Sequence, residues 1–572
     1  MFSIILKILR SQDLSIKYRL FFFQTIALIS STLETLTLIS FIPIITIFMD
    51  INILINSEIF QSINFLTTLS KKEIIYLMSF TSASIILLSF LMSLYVNHLN
   101  YKFSAILGKK ISLKIYKSFI AKDIIFFNEI SPIEITKTIT FEVPRLIEQV
   151  IQPCFRLIVK ASLIVFITLV ILIHNFYFSF VLFFIIFLFY LFFNLIFKKK
   201  VSVIGREISL NQSKIHLATT ETFNFIREIK IFNKENFFKN RFIFSSDKFY
   251  ENFTRIGPIS QMPKVILENL FLIIVLLSVS TLSMTIGVDS LTKILITTSF
   301  YIICVLKLIP AFQNLYYEYA NIKSAEQTLK IIEKIYFSRP KKNSKNLNKI
   351  NFKKSILFNN ISFNYKQNNN FVFKNINFQI LKNQSHAIVG KTGSGKSTLI
   401  DILCGFTKIK NGKILIDGKK INYFGNSKWF ENISMVKQNF FGLNDTILSN
   451  IILDNKFDKD RLEKVIKISQ LKGVIKSKKN GLNYIIGENG SKLSGGQKQR
   501  LSIARSLYHV KDILILDEAT SALDENTEKL VLNAIKKEYD LTLILVTHNK
   551  EISNLMKNKI NIENFSINVK ES

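Results

Sequence analysis

The sequence predicts an α-helical transmembrane bundle of six spans followed by an α/β domain built around a phosphate-binding loop. Three observations carry that expectation. Up to about residue 312 the chain is dominated by long apolar runs. Beyond residue 339 it alternates short apolar stretches with Gly, Asn, Lys and Ser. Within this second part, a glycine-rich run stands between a strand-like and a helix-like segment. At 572 residues the chain is too long for one domain, and 49% hydrophobic with 13% aromatic residues is rich for a soluble protein.

A membrane helix needs about 20 mostly apolar residues. Segments near 18–49, 74–96, 155–173, 176–197, 264–286 and 291–312 qualify. The first is too long for a cleaved signal peptide and lacks a small-residue cleavage site, so it reads as a retained helix with a bend at Pro43. The segments after spans one, three and five are short and hold few basic residues. Those after spans two and four are long and carry Lys109, Lys110, Lys114, Lys198, Lys199, Lys200 and Arg206. The positive-inside tendency therefore places the long loops and both termini in the cytoplasm. Within the long loops, Phe103, Ile106, Leu107, Ile111, Ile115 and Phe119 keep near-helical spacing, so the span helices project into the cytosol. Turns near 129–141 and 221–236 are the expected contacts with a cytosolic domain. A polar stretch beginning Arg339-Pro340 marks the boundary, giving a membrane domain at 1–335, a linker at 336–352 and a nucleotide domain at 353–572.

The formal charge is +33, but Lys is spread over the whole chain with Ile, Asn and Phe, as in a genome-wide codon bias. No Arg/Lys-rich helix or aromatic platform points to nucleic acid, which is not an expected partner. Cys154, Cys304 and Cys404 lie far apart, with neither metal-ligand spacing nor a disulfide framework.

The phosphate loop is Gly390-Lys391-Thr392-Gly393-Ser394-Gly395-Lys396-Ser397-Thr398, between an apolar strand at 385–389 and a helix opening at Leu399. Glycines let the backbone curl and turn several N–H groups toward an anion at the positive end of the helix. Lys396 adds a point charge for the terminal phosphates, and the Ser397 hydroxyl is placed for Mg²⁺. ATP and Mg²⁺ are therefore the expected ligands. Further strands are expected at 355–365, 377–380, 413–416, 433–437, 513–516 and 541–547, with helices between the later ones, in a substantially parallel sheet. The strand at 513–516 runs into Asp517-Glu518, where the first carboxylate can hold Mg²⁺ through its shell and the second can polarise an attacking water.

At Leu493-Ser494-Gly495-Gly496-Gln497, continuing KQRLSIARSL and followed by LDEATSALD, the chain resembles ABC transporters. Six spans followed by one such domain is the layout of an exporter-type half-transporter. The resemblance implies ATP hydrolysis by in-line attack of water, with Glu518 as general base, Lys396 neutralising charge and His548 sensing the γ-phosphate. It makes Tyr365 the aromatic under the adenine, and Gln438 a Mg²⁺ ligand with Ser397 and Asp517. It makes Ser494, Gly495, Gly496 and Gln497 the part of the site supplied by another subunit, so a homodimer with composite ATP sites is implied. A heterodimer is the other arrangement open. Two departures stand out: Asn549 follows His548 where Arg is usual, and the tail after Ile552 is poor in the family's closing strand pattern.

Ionisable residues in spans are costly and usually face a cavity or a partner. Arg156, Lys160, Lys264 and Lys307 are such residues, with Glu34 and Glu268 as possible partners. Snorkelling to the interface is the plain reading for Arg156 and Lys264. The segment 57–69 has apolar residues at helical spacing and reads either as a helix lying on the outer surface or as a loop. Glu34 ahead of Pro43, that outer segment, and Lys264 and Lys307 beside Pro263 and Pro310 resemble the lipid-linked oligosaccharide flippases of bacterial protein glycosylation (PglK type). No counterpart of their further Arg is found in span two. The expected cargo is thus a polyprenyl-diphosphate-linked oligosaccharide. Export of a lipid, lipid A or an amphipathic drug is the alternative, and a membrane-anchored ATPase without transport the reading from another class.

Overall fold

Long helices fill the first half of the chain and two sheets the second. The computed structural model describes residues 2–55, 61, 69–122, 124–174, 176–285, 291–338, 350–365, 372–420, 424–454, 457–563 and 566–571. They form two compact units, Met1–Lys122 with Ile130–Pro340 and Asp123–Glu129 with Lys341–Ser572.

Among the described residues six long helices build the first unit: Leu14–Ile55, Lys71–Ile120, a composite helix over 132–174, Phe176–Asn224, Glu235–Thr285 and Leu291–Ser324, here helices one to six. Among the described residues, Leu14–Phe48, Lys71–Ile120, Pro132–Ile173 and Thr298–Ser324 are long and apolar enough to cross a membrane. The fourth and fifth expected spans fall on helices four and five. The outer segment at 57–69 lies almost wholly outside the described residues. Helix two begins at a reciprocal cap, in which Ser70 Oγ accepts from the Glu73 N–H and the Glu73 carboxylate accepts from the Ser70 N–H. Its 50 residues rise about 75 Å, more than twice the hydrocarbon thickness, so much of it stands in water. Helices four and five are joined by the short helix Ile226–Phe232, closed by Asn233 in the left-handed region. Around this tip Phe223, Phe225, Ile231, Phe232 and Phe237 are exposed.

Helix three contains two stretches of wider, π-helical turn, Thr138–Glu142 and Ile147–Ile151. Each precedes a proline closely. The Val143 N–H reaches back to Thr138 O just before Pro144, and the Gln152 N–H reaches Ile147 O just before Pro153. Proline lacks the N–H and crowds the carbonyl four residues back, and a five-residue hydrogen-bond step relieves both faults without ending the helix.

The first of these turns carries Glu142, which is fully buried. Its carboxylate accepts from Ser209 Oγ at 2.8 Å and Thr328 Oγ1 at 2.5 Å and pairs with Lys137 Nζ at 3.1 Å. Helix three is thereby tied to helix four and to the helix Glu326–Tyr336. One turn on, Arg145 donates to the carbonyls of Gly205 and Ser324 at 3.3 and 3.4 Å. Gly205 is obligatory there, because an added Cβ would lie 2.0 Å from Ser324 O.

The second unit holds a sheet of order β10-β9-β3-β8-β7-β6. Its strands are β3 Ser385–Gly390, β6 Ile433–Val436, β7 Ile513–Asp517, β8 Thr542–Val546, β9 Asn558–Glu563 and β10 Ser566–Glu571. All neighbours pair in parallel except β10 with β9. The inner strands are apolar on both faces, as a covered parallel sheet requires. Ile513 and Ile515 enter one core and Leu514 and Leu516 the other. Two sequence expectations need correction. Strands β1 Ser355–Phe363, β2 Phe373–Leu381 and β4 Asn411–Ile416 do not join the parallel sheet; they pair antiparallel in a second sheet that also holds β5 Lys419–Lys420. The C-terminal tail does supply closing strands, since β9 lies beside β3 with Ile560 and Ile562 buried.

Candidate nucleotide site

Parallel strands leave their carboxyl ends at one edge, where ligands of such sheets bind. β3 runs there into the glycine loop, β6 into Gln438, β7 into Glu518 and β8 into His548. The loop enters the helix Lys396–Cys404 through Gly395 at φ +102°, and Gly393 holds φ +82°. A Cβ on Gly395 would strike Phe373 at 2.8 Å, so only glycine brings the backbone round here. Lys396 is buried and its ammonium donates to the carbonyls of Gly390 and Lys391 at 2.9 and 3.1 Å, inside the curl of the loop. Burial lowers its pKa, while Glu518 and Asp517 act against that shift. Lys391, Thr392 and Ser397 are exposed along the loop, and Thr398 is buried. Ser394 Oγ is buried and, among the described residues, lacks a hydrogen-bond partner. An unsatisfied hydroxyl inside a ring of backbone turned by glycine, beside a buried ammonium, fits a polyphosphate chain.

Glu518 sits at φ +49°, a region uncommon outside glycine, and its N–H donates to Val546 O at 3.2 Å. Its Oε2 accepts from Gln438 Nε2 at 2.7 Å and its Oε1 meets His548 Nε2 at 2.6 Å. Two residues far apart in the chain thus converge on one carboxylate. Asp517 beside it has its pKa raised, by burial first and then by repulsion from Glu518 and Asp401. Such a group gains from a cation. Ser397, Asp517 and Gln438 each offer an oxygen, the donor type that suits Mg²⁺. Tyr365 is half exposed, packs edge-on against Phe363 and shares a 2.9 Å hydrogen bond with Thr398 Oγ1, which ties it to the phosphate loop.

Ser494 caps the helix Gly495–Tyr508 through a reciprocal box with Gln497. Gly496 passes close to Ala522, since an added Cβ would lie 3.0 Å from Ala522 O. Among the described residues no hydrogen bond joins Ser494, Gly495, Gly496 or Gln497 to the phosphate loop. Sequence reasoning missed what holds this helix. Gln499 accepts from the Ala522 N–H at 2.8 Å and donates to Ser521 Oγ at 3.3 Å, linking it to the loop after Glu518. Arg505 donates to Phe441 O and Asn450 O, both at 2.7 Å, and to Asn450 Oδ1 at 2.9 Å, linking it to the segment after Gln438. The one signal for Arg505 was its place on the buried side of that helix.

Residues 373–521 match the family model for the ABC transporter, and residues 24–308 match that for the ABC transporter transmembrane region. The chain belongs to the ABC transporter family. The transporter is 32% identical over 335 residues to the ATP-dependent lipid A-core flippase of Blochmanniella floridana, a stretch that spans 56% of this chain and 55% of that relative. With the flippase of the same name from Wigglesworthia glossinidia brevipalpis it shares 28% identity over 462 residues, 78% of each chain. A multidrug resistance-like ATP-binding protein of Buchnera aphidicola, MdlB, is 43% identical over 192 residues, 33% of each. Among solved structures, a bacterial Atm1-family ABC exporter with ATP bound superposes with a TM-score of 0.80 at 18% identity, covering 98% of this chain and 96% of that one. The transporter therefore has the exporter fold, a helical membrane region followed by the nucleotide-binding domain.

Proposed function

We propose that the chain is an ATP-hydrolysing flippase acting as a homodimer in a bacterial inner membrane, with its nucleotide domain and both termini cytoplasmic. The observation that carries the chemistry is the convergence of Gln438 and His548 on Glu518 at the strand edge that also holds the phosphate loop. ATP is the substrate, its phosphates held by the loop amides, Ser394 and Lys396. Ser397, Asp517 and Gln438 would hold Mg²⁺, which would supply neutralising charge. Glu518 accepts a proton from the attacking water, His548 orients Glu518 and meets the γ-phosphate, and the phosphoryl group leaves ADP. Tyr365 stacks under the adenine. The Ser494 to Gln497 turn caps its own helix, and its exposed face would meet the nucleotide of a second copy.

For cargo, the relatives named lipid A-core flippases support lipid A ahead of a polyprenyl-diphosphate-linked oligosaccharide. Lysines within the spans suit either, because an anionic head group crossing an apolar path needs charge-assisted hydrogen bonds. Lys307 is half exposed on helix six; the Lys264 side chain lies outside the described residues.

Glu518→Gln tests the chemistry. It should lower ATP turnover by about 10²- to 10⁴-fold, the usual worth of a general base, while retaining nucleotide binding. Turnover near parental in a purified, ATP-binding variant would remove Glu518 from that role.

A further inference from the structure

Glu34 on helix one stands between two cations from other helices. Lys160 Nζ of helix three lies 4.0 Å from its Oε2, and Lys307 Nζ of helix six lies 4.0 Å from its Oε1. Both separations exceed hydrogen-bond reach, so the carboxylate is bracketed rather than bonded. All three side chains keep partial exposure, 22% for Glu34, 29% for Lys160 and 49% for Lys307.

The backbone around the cluster is not loose. Ser31 Oγ, one turn before Glu34, hydrogen-bonds Ser162 Oγ at 2.7 Å and donates to Val159 O at 3.2 Å, pinning helix one to helix three. Leu38, Leu163, Ile164, Ile167, Phe300 and Leu308 form one apolar cluster across the same three helices. Elsewhere in this unit the chain builds tight ion pairs: Arg156 meets Glu318 with two hydrogen bonds, at 2.5 and 3.0 Å. A loose triad of one acid and two bases in a span is costly unless something else completes it. Each ammonium has three donors, and a single carboxylate at 4.0 Å satisfies none of them. A phosphate brings about −1.5 to −2 charge and three acceptor oxygens, enough to engage both lysines together. Lys307 is the cation best able to move, since Pro310 three residues on cannot donate to the Leu306 carbonyl.

We infer that Glu34 is a resident stand-in for the phosphate of an anionic lipid, holding Lys160 and Lys307 until the head group displaces it. The inference rests on the anionic-lipid reading above and adds that the carboxylate competes with cargo. Discrimination follows from this: an uncharged amphiphile cannot displace Glu34, whereas a lipid phosphate or diphosphate can.

The test uses the full-length protein in lipid nanodiscs and measures binding of lipid A carrying both phosphates, of the same lipid dephosphorylated, and of undecaprenyl diphosphate. Glu34→Gln should bind the phosphorylated lipids on the order of tenfold more tightly than the parent and leave the dephosphorylated lipid unchanged. Glu34→Asp, which keeps the charge, should bind as the parent does. Lys160→Gln and Lys307→Gln should each weaken the phosphorylated lipids alone. Which phosphorylated lipid binds more tightly separates the monophosphate from the diphosphate source. Unchanged or weaker binding in Glu34→Gln, with the lysine effects intact, overturns the stand-in and spares the anionic-lipid reading. If the lysine variants treat phosphorylated and dephosphorylated lipid alike, the anionic-lipid reading falls. Should Glu34→Gln fail to fold, Glu34→Gln combined with Lys160→Gln removes one charge of each sign, and weaker binding than in Lys160→Gln alone overturns the proposal.

Discussion

Glu142 and Glu34 lie in the same helical unit, each paired with lysine, and they are built in opposite ways. Glu142 is sealed from solvent and accepts hydrogen bonds from Ser209 and Thr328 while Lys137 lies at 3.1 Å. Lys137 in turn donates to the Ser209 carbonyl at 3.0 Å. Glu34 is part-exposed and touches its lysines only at 4.0 Å. A buried charge is tolerated when its lone pairs are met, and such a network then locks one arrangement of helices. A charge left unmet at a partly open site is available for exchange. Arg156 with Glu318 stands between the extremes, well hydrogen-bonded but with the guanidinium partly exposed. Snorkelling was the plain expectation for Arg156, and the nearby carboxylate of helix six is what replaces it.

This contrast can be broken by substitution, and the largest effect belongs to Glu142. Glu142→Ala leaves the Lys137 ammonium buried without its counter-ion and should cost about 3–5 kcal/mol. A thermal unfolding midpoint equal to the parent's would show that the network locks nothing. Arg156→Ala strands the Glu318 carboxylate, which is 7% exposed, and should cost about 2 kcal/mol or more, a smaller fall in the same midpoint because water reaches the guanidinium side of the pair. Arg156→Lys should recover only part of it, since an ammonium cannot reproduce the two-pronged contact. Glu34→Ala should shift stability least, within about 1 kcal/mol, as for a loose ion pair. A loss as large as that of Glu142→Ala would make Glu34 a structural residue and erase the distinction.

How much of this was legible depended on how far apart the partners lie in the chain. The phosphate loop could be read because its chemistry is contained in consecutive residues, Gly390 to Thr398, whose flanking strand and helix are local as well. Asp517 and Glu518 were legible for the same reason, at the end of an apolar strand. Gln438 and His548 needed the family resemblance, because nothing in their neighbours tells that both will reach Glu518. Arg505 was passed over altogether, since its partners Phe441 and Asn450 lie on another part of the unit.

The sequence by itself determined the apolar spans, the positive segments between them, the glycine loop and the strand carrying the acids, all properties of short stretches and their side chains. Tertiary structure alone decided which strands share a sheet, that the tail closes beside β3, and that Pro144 and Pro153 are absorbed by widened turns rather than breaks. It alone decided that Glu142 is saturated and Glu34 is not. The reason is physical: a carboxylate's role depends on how many donors reach its oxygens and how much water remains, and some of those donors, such as Thr328 for Glu142 and Lys160 for Glu34, come from helices more than a hundred residues away in the chain.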